Sequence, residues 1–536
     1  MDASKLQPVS LQNVFTVPIF SQPKTNIMLK SACLLTTLVL LLNTITFSQA
    51  GTLDSTFSKD GVVEEQYAGG QKWQESSKAH SVAIQADARI VVAGDRWNGT
   101  EYDIGLARYQ PGGIRDTSFG LSGQTVTDLG NSDEAANAVA IQSDGKIVVA
   151  GYRYDKKNDR TDFLVVRYNE DGKRDGRFGE NGVATTTFGL DNSAANAIAM
   201  QSNGKIVVAG SAFIGAGNNN YFALARYKQD GTPDSSFGSD GKVTTDFGVD
   251  AVACSVAIEL DGKIVVAGYS GGFQPNDFTM TRYKSNGTLD SSFGANGKVF
   301  TDFGGPEQGR SLAIQADGKI LLAGNAINDF GLARYKPNGS LDSAFGINGK
   351  VVTDLGNDWS EEASSVALQA DGKIVVAGTS YSKFAVVRYL RNGQLDNSFG
   401  RKGKVLTDVG HGGAACQSLA LQPDGKIVTA GYKGYKYAII RYDGDPPLVS
   451  KADSKDAFYL PAIQLSPNPV KDILRVERLS SSTKTISVFD VKGNLVQRII
   501  TSNDNYTFNT KQFSAGIYFV KVVEADKAIT LKFVKQ

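Results

Sequence analysis

One phrase returns seven times along this chain, and that recurrence limits the possible folds more than any other feature. "DGKIVVAG" or a close variant ends at Gly94, Gly151, Gly210, Gly268, Gly324, Gly378 and Gly431, at spacings of 53 to 59 residues. An Arg-Tyr pair follows each copy, at Arg108-Tyr109, Arg167-Tyr168, Arg226-Tyr227, Arg282-Tyr283, Arg334-Tyr335, Arg388-Tyr389 and Arg441-Tyr442. An Asp-x-x-Phe phrase also occurs seven times, with its Phe at 57, 119, 178, 237, 293, 345 and 399. A period of this size marks a stack of supersecondary units, each burying its apolar face against the next.

Within one unit the pattern is all β. "SVAIEL" from Ser255 is a short strand, and "KIVVAGY" is a second, apolar on consecutive residues as burial on both faces requires. Asp261-Gly262 between them predicts a two-residue hairpin turn, because Gly accepts positive φ. "FTMTRYK" alternates as a third strand and "KVFTDFG" closes the unit as a fourth, after the turn-rich "SNGTLDSSFGANG". Four antiparallel strands repeated seven times predict a seven-bladed β-propeller. The alternative is an open β-solenoid of the same units.

The chain begins with half a repeat. Residues 51–67 hold an Asp-x-x-Phe connector and a fourth strand, and the seventh Arg-Tyr pair lacks both. The N-terminal strand is therefore expected to close the circle, with Asp54 near Arg441, and to hide two sheet edges. Each repeat arginine sits among apolar neighbours and needs a carboxylate partner. The aspartates of the following connectors are the candidates, giving structural pairs Arg108–Asp116, Arg226–Asp234 and Arg441–Asp54. The alternative reading makes the seven arginines a ring for anionic ligands.

In a four-stranded meander, the first-to-second and third-to-fourth connections lie on one side, and here they are uniform. The second-to-third loops lie on the other side and differ between copies: 95–103, 152–162, 211–221 and 269–277 in the first four, much shorter in the last three. Binding sites favour variable loops on a rigid scaffold. Trp97, Tyr102, Tyr152, Tyr154, Phe213, Tyr221 and Phe273 are the candidate ligand-binding residues, offering faces for sugars or peptides. The reading is a non-catalytic binding or adhesion module. The alternative is a propeller hydrolase or lyase acting on extracellular polysaccharide, which would gather two acids, or an acid with a His or Tyr, at one opening.

Little else in the chain suggests chemistry. The formal charge is +1, so no global field calls for nucleic acid or an anionic membrane. His80 and His411 are the only histidines, which argues against His-rich metal or acid/base sites. His80 reads as a strand-edge residue, and His411 five residues before Cys416 is weak ground for a dyad. "IGAGNNN" at 214–220 is a loop, not a phosphate cradle. No cofactor and no metal ligand set is assigned. The oxygen-rich run 169–182 could suggest calcium, but it lacks EF-hand spacing and turn chemistry explains it.

Residues 28–50 read as a secretory signal, with Lys30 before an apolar run and small residues at the cleavage site. Residues 1–27 are polar, which suggests Met28 as the true start. The mature chain would retain Cys254 and Cys416, too few for a disulfide framework, and no membrane span. The propeller is expected over 51–445, a linker over 446–460 and a separate module over 461–536, whose alternating segments predict a small β-sandwich of immunoglobulin type.

The repeat pattern resembles the delta-60 repeat family of tandem bacterial repeats, over residues 51–445; the resemblance implies export and a repeat architecture, not a reaction. The C-terminal module resembles the type A sorting domain of the type IX secretion system of the Bacteroidetes. The carriers are Pro467-Asn468-Pro469, Val488-Phe489-Asp490 with Gly493, Gly516-Ile517-Tyr518 and the terminal Lys532-Phe533-Val534-Lys535. The resemblance implies that the type IX secretion machinery is a partner and that the chain passes through the periplasm to the outer-membrane surface or the medium.

Overall fold

The structure, a computed structural model, describes residues 49–65, 76–130, 132–189, 192–214, 219–271, 276–356, 360–410 and 412–445 of the repeats. In the tail it describes 464–466, 470–477, 479, 483–490, 495–514, 516–524 and 527–535. The chain divides into two compact units, Met1–Pro447 and Leu448–Gln536. Every regular element among the described residues is a β-strand.

The first unit contains seven four-stranded antiparallel sheets. The first is built from Ser77–Ile84, Ile90–Trp97, Tyr102–Tyr109 and Gln124–Thr127, in that order. Five more follow the same meander. The seventh takes three strands from the end of the array, Ala414–Leu421, Ile427–Lys433 and Lys436–Tyr442, and its fourth from the beginning, Val62–Glu65. Val62 pairs with Ile440 and Glu65 with Tyr437.

The first strands of successive sheets lie beside one another all the way round, the seventh against the first, so they are the inner strands. There are seven apolar cores, one between each successive pair of sheets. One joins Val428, Ala430 and Ile439 of the seventh sheet to Val82, Val92 and Ala107 of the first. The second strands carry most of this burial. In all seven sheets their first five residues are buried, because both faces are covered.

Two details depart from the sequence reading. The Asp-Gly connection is not a two-residue turn. In the fourth sheet it runs from Glu259 to Lys263, closed by Glu259 N–H to Lys263 O at 2.8 Å and Gly262 N–H to Glu259 O at 2.9 Å. Only Gly262 is left-handed, at φ 84°, while Asp261 accepts from the Lys263 amide at 3.1 Å. The aspartate therefore acts as a hydrogen-bonding cap rather than as a left-handed turn residue. In the first sheet Ala88 takes the glycine's place at φ 66°. Secondly, His80 is not at a strand edge; it is the extra residue of a bulge between Ala79 and Ser81 in the inner strand. Every inner strand carries this bulge, leaving Asn137, Asn196, Cys254, Arg310, Ser364 and Gln417 at the same place.

The second unit holds a three-stranded sheet (Gln464–Ser466, Ile473–Glu477, Tyr506–Asn509) and a four-stranded one centred on Lys484–Asp490 and Gly516–Glu524. They share one core that includes Leu474, Val476, Phe508, Val488, Val520 and Phe533.

Candidate functional site: a clasped ring with one variable face

The repeated phrases form clasps between sheets. Each repeat arginine donates from Nε to its connector aspartate, at 2.7 to 3.0 Å in all seven sheets. Arg108–Asp116, Arg226–Asp234 and Arg441–Asp54 are among them, each buried. The guanidinium also lies over the connector phenylalanine, 4.5 to 4.7 Å from the ring centroid. A second nitrogen reaches the next sheet. Arg108 donates to Glu170 O, Arg226 to Ser285 O, and Arg441 of the last sheet to Pro111 O of the first. Six of the seven arginines are held by a carboxylate, an aromatic face and a carbonyl at once; Arg388 lacks the carbonyl.

The tyrosine of each pair reaches the preceding sheet. Tyr168, Tyr227, Tyr283, Tyr335, Tyr389 and Tyr442 pair through their hydroxyls with threonines at 2.6 to 2.8 Å. Tyr109 donates instead to Glu65 of the N-terminal strand at 2.7 Å. Inner-strand serines add latches: Ser81, Ser255, Ser311 and Ser418 each accept a backbone amide of the next sheet, at 3.1 to 3.2 Å. Sequence reasoning missed them; a Ser-Val or Ser-Leu dipeptide in a strand has no signature of its own.

This rigid frame carries the variable hairpins on one side. The second and third strands run eight or nine residues in the first three sheets and seven in the last four. The extra length carries the predicted aromatics. Trp97 and Tyr102 face each other across the first hairpin with ring centroids 4.9 Å apart. Tyr152 of the second sheet joins them. Burial raises its hydroxyl pKa, and the charges of Asp95 and Asp133 add to that. Asp95 Oδ2 accepts from His80 Nε2 at 2.7 Å, so the bulge histidine is tied to this group. Tyr154 bonds Asp159 at 2.6 Å within its own hairpin, and that bond raises its pKa. Phe213 and Tyr221 lie apart on the third hairpin, Tyr221 near Asp246. Phe273 lies outside the described residues.

Two aromatics on this face were not singled out from the sequence. Tyr381 and Tyr435 sit in the two-residue turns of the sixth and seventh hairpins, 58% and 71% exposed. Tyr381 and Ser382 both have positive φ, at 45° and 59°. Neither residue type favours that conformation, and such strain concentrates at functional loops.

Among the described residues, three groups of carboxylates could hold a metal ion: Glu101, Asp103 and Asp128; Asp277, Asp302 and Glu307; and Asp329, Asp354 and Glu361. None lies at the oxygen-rich turn 169–182 that first suggested calcium. There Asp171 accepts from the Lys173 amide at 3.0 Å, and Asp175 pairs with Arg167. Cys254 and Cys416 are free thiols. Burial pushes Cys416 up to about 12, so it supplies no thiolate; His411 lies outside the described residues.

In the tail, Tyr518 stacks on Phe533 with centroids 5.4 Å apart and donates to Ser514 O at 3.0 Å. Gly516 pairs with Lys535, which also bridges to Val470. Pro467, Asn468, Pro469 and Gly493 lie outside the described residues, as do the signal segment and the linker. Among the described residues no helix is long and apolar enough to cross a membrane.

Tandem four-stranded sheets with inner strands side by side define a repeat β-propeller protein. Its sequence carries the matching families. Residues 85–119, 142–178, 201–237, 260–293, 315–345 and 369–399 match a domain of unknown function described as a beta-propeller. Residues 464–536 match the secretion system C-terminal sorting domain, which marks the chain for the type IX secretion machinery and for the cell surface or the medium. No curated protein matches. Among solved structures, PorZ of Porphyromonas gingivalis, an essential surface component of the type-IX secretion system, is 13% identical with a TM-score of 0.40. The match covers 85% of this chain and 59% of PorZ. YCF48 bound to D1 peptide is 12% identical (75% of this chain, 100% of that one, TM-score 0.43). Polysaccharide lyase Uly1 is 12% identical (74% and 98%, TM-score 0.36). Each is a likeness of fold alone.

Proposed function

We propose that the mature protein is an exported, non-catalytic binding module. It is a seven-bladed propeller over residues 51–445, closed by its N-terminal strand and followed by a sorting domain built as a small immunoglobulin-like sandwich. The ligand face is the side of the second-to-third hairpins, centred on the first two blades. The observation that carries this reading is the gathering of Trp97, Tyr102 and Tyr152 around Asp95 on long hairpins, above a frame whose repeated polar groups are spent on clasps. Aromatic faces with a few polar groups suit a glycan or an extended peptide on a surface protein. The test is a glycan and surface-protein binding screen on the purified mature chain. The Trp97→Ala, Tyr152→Ala double variant should lose the ligand and keep the melting temperature. A ligand retained in full by that variant would refute the assignment.

A second reading, a polysaccharide hydrolase or lyase, is favoured by one contact, His80 against Asp95 at 2.7 Å beside Tyr152. An acid, a histidine and a tyrosine together can move protons. Release of reducing or unsaturated ends from extracellular polysaccharides, abolished by His80→Ala, would decide for the enzyme.

A further inference from the structure

The crossover from the fourth sheet to the fifth brings three carboxylates together from separate elements. Asp277 opens the third strand of the fourth sheet, Asp302 follows its fourth strand, and Glu307 is the first residue of the fifth sheet's inner strand. One oxygen from each lies within 4.8 Å of the others. Glu307 is fully buried. Its Oε1 accepts the Gly305 amide at 2.7 Å, whereas Oε2 has no hydrogen-bond partner. A buried carboxylate oxygen without a donor, facing two more carboxylates, is a costly arrangement unless a proton or a cation completes it.

The other crossovers provide internal controls. In the sixth sheet the residue equivalent to Asp277 is Lys383, which pairs with Asp408 at 3.6 Å, and the residue equivalent to Glu307 is Ala414. There the chain itself supplies the positive charge and the third carboxylate is gone. In the first sheet Arg96 lies 3.8 Å from Asp103, and Lys156 lies 3.2 Å from Glu101. At the fourth sheet no side-chain ion pair to Asp277, Asp302 or Glu307 is present among the described residues; Lys350 Nζ donates to the Asp302 backbone carbonyl at 2.9 Å.

We propose that Asp277, Asp302 and Glu307 bind a Ca²⁺ ion that staples the fourth sheet to the fifth, beneath the variable face. The donors are all oxygen, as a hard cation prefers. They come from a strand start, a crossover and a buried strand, a set better suited to the adaptable shell of Ca²⁺ than to the strict octahedron of Mg²⁺. An extracellular site of this type binds with a Kd on the order of 10⁻⁴ to 10⁻³ M.

The experiment is equilibrium dialysis of the metal-stripped mature protein against ⁴⁵CaCl₂ up to about 5 mM, which spans that range. Asp302→Asn should bind one Ca²⁺ fewer per chain than wild type. The variant should fold, because Asp302 is exposed and its local role, accepting the Gly304 amide at 2.5 Å, suits an asparagine equally well. Asp171→Asn, on the uniform side, should bind the wild-type number. No Ca²⁺ bound by wild type over this range, or the same number bound by Asp302→Asn, would overturn the proposal.

Discussion

Six of the seven sheets are cut from one continuous stretch of chain each, whereas the seventh is assembled from both ends. The same clasp serves both kinds, and a lysine joins it in both. In the third sheet Asp234 holds Arg226 and Lys205; in the seventh, Asp54 holds Arg441 and Lys426, and Lys426 also reaches Asp443 at 3.2 Å. Where other tyrosines meet a threonine, Tyr109 meets Glu65, which also takes Arg115 at 2.6 Å. The Gly400 amide, whose counterparts bond the next connector, bonds Ala50 O at 2.8 Å. One flaw marks the join. Arg388 Nη1 is buried without a partner, while Nη2 turns to Asp445 at 2.7 Å. A strand held by no covalent neighbour needs such side-chain anchors, because its ordering entropy is not shared with a preceding strand.

The largest effect should come from removing residues 49–65. This exposes the edge of Lys436–Tyr442, strips Phe57 from the core and leaves Arg441 buried without its carboxylate. The expected outcome is loss of the folded monomer, seen as aggregate by size exclusion and as a lost cooperative melt. A truncated protein that melts like wild type would show that the join is decorative.

Next come Asp54→Ala and Asp234→Ala. Each leaves a buried arginine unpaired, at a cost of about 3–5 kcal/mol. Urea unfolding at neutral pH should find both, and Asp54→Ala should cost at least as much, because it also frees the strand's anchor. Acid separates the two states further. Burial raises the Asp54 carboxyl pKa, but hydrogen bonds from Lys426 and Thr56 and the Arg441 charge bring it from 3.8 to about 2. The folded form thus holds its proton less tightly than the unfolded form. The stabilisation is present above about 3.8 and is lost as pH falls through about 2.

The repeat could be read from the sequence because the scaffold's groups are side chains that recur with it. A buried guanidinium requires a carboxylate, so Arg226 and Asp234 point to one another in the sequence. The other half of the clasp could not be read, since the acceptor is a backbone carbonyl such as Ser285 O, which any residue supplies. The carboxylates of the fourth crossover were hidden for another reason. Asp302 reads as turn chemistry, which it also performs for Gly304, and Asp277 is distant in sequence. Tyr381 and Tyr435 were passed over because short turns look featureless; their exposure comes from the hairpin geometry. The aromatic group at Trp97 was legible because loops that differ between otherwise uniform copies stand out.

A buried carboxyl away from the join should also respond to pH. The inner strands begin with Glu134, Glu307 and Glu361 in the second, fifth and sixth sheets, and with Ser77, Ser193, Ala251 and Ala414 in the first, third, fourth and seventh. Burial pushes Glu134 up to about 7 despite bonds from Ser132 and the Leu129 amide and the charge of Arg153. The folded state therefore holds this proton more tightly than the unfolded state. This group's contribution to stability is fully present below about 4.5 and is lost as pH rises through about 7. Melting curves should show Glu134→Gln less sensitive than wild type between those limits. An unchanged slope would return the pH response to other groups.

The smallest effect tests whether the join differs in kind or only in residue choice. Glu65→Thr gives the N-terminal strand the threonine found at the other joints. Tyr109 should keep a hydroxyl partner, as Tyr168 does with Thr127. The loss is the Arg115 pair, whose partners are 27% and 20% exposed; pairs this accessible contribute about 0–1 kcal/mol. The variant should lie within that range of wild type and lose its small salt dependence. A cost near that of Asp54→Ala would mean that Glu65 anchors the strand by charge, so that the join relies on two carboxylates where every other joint relies on one.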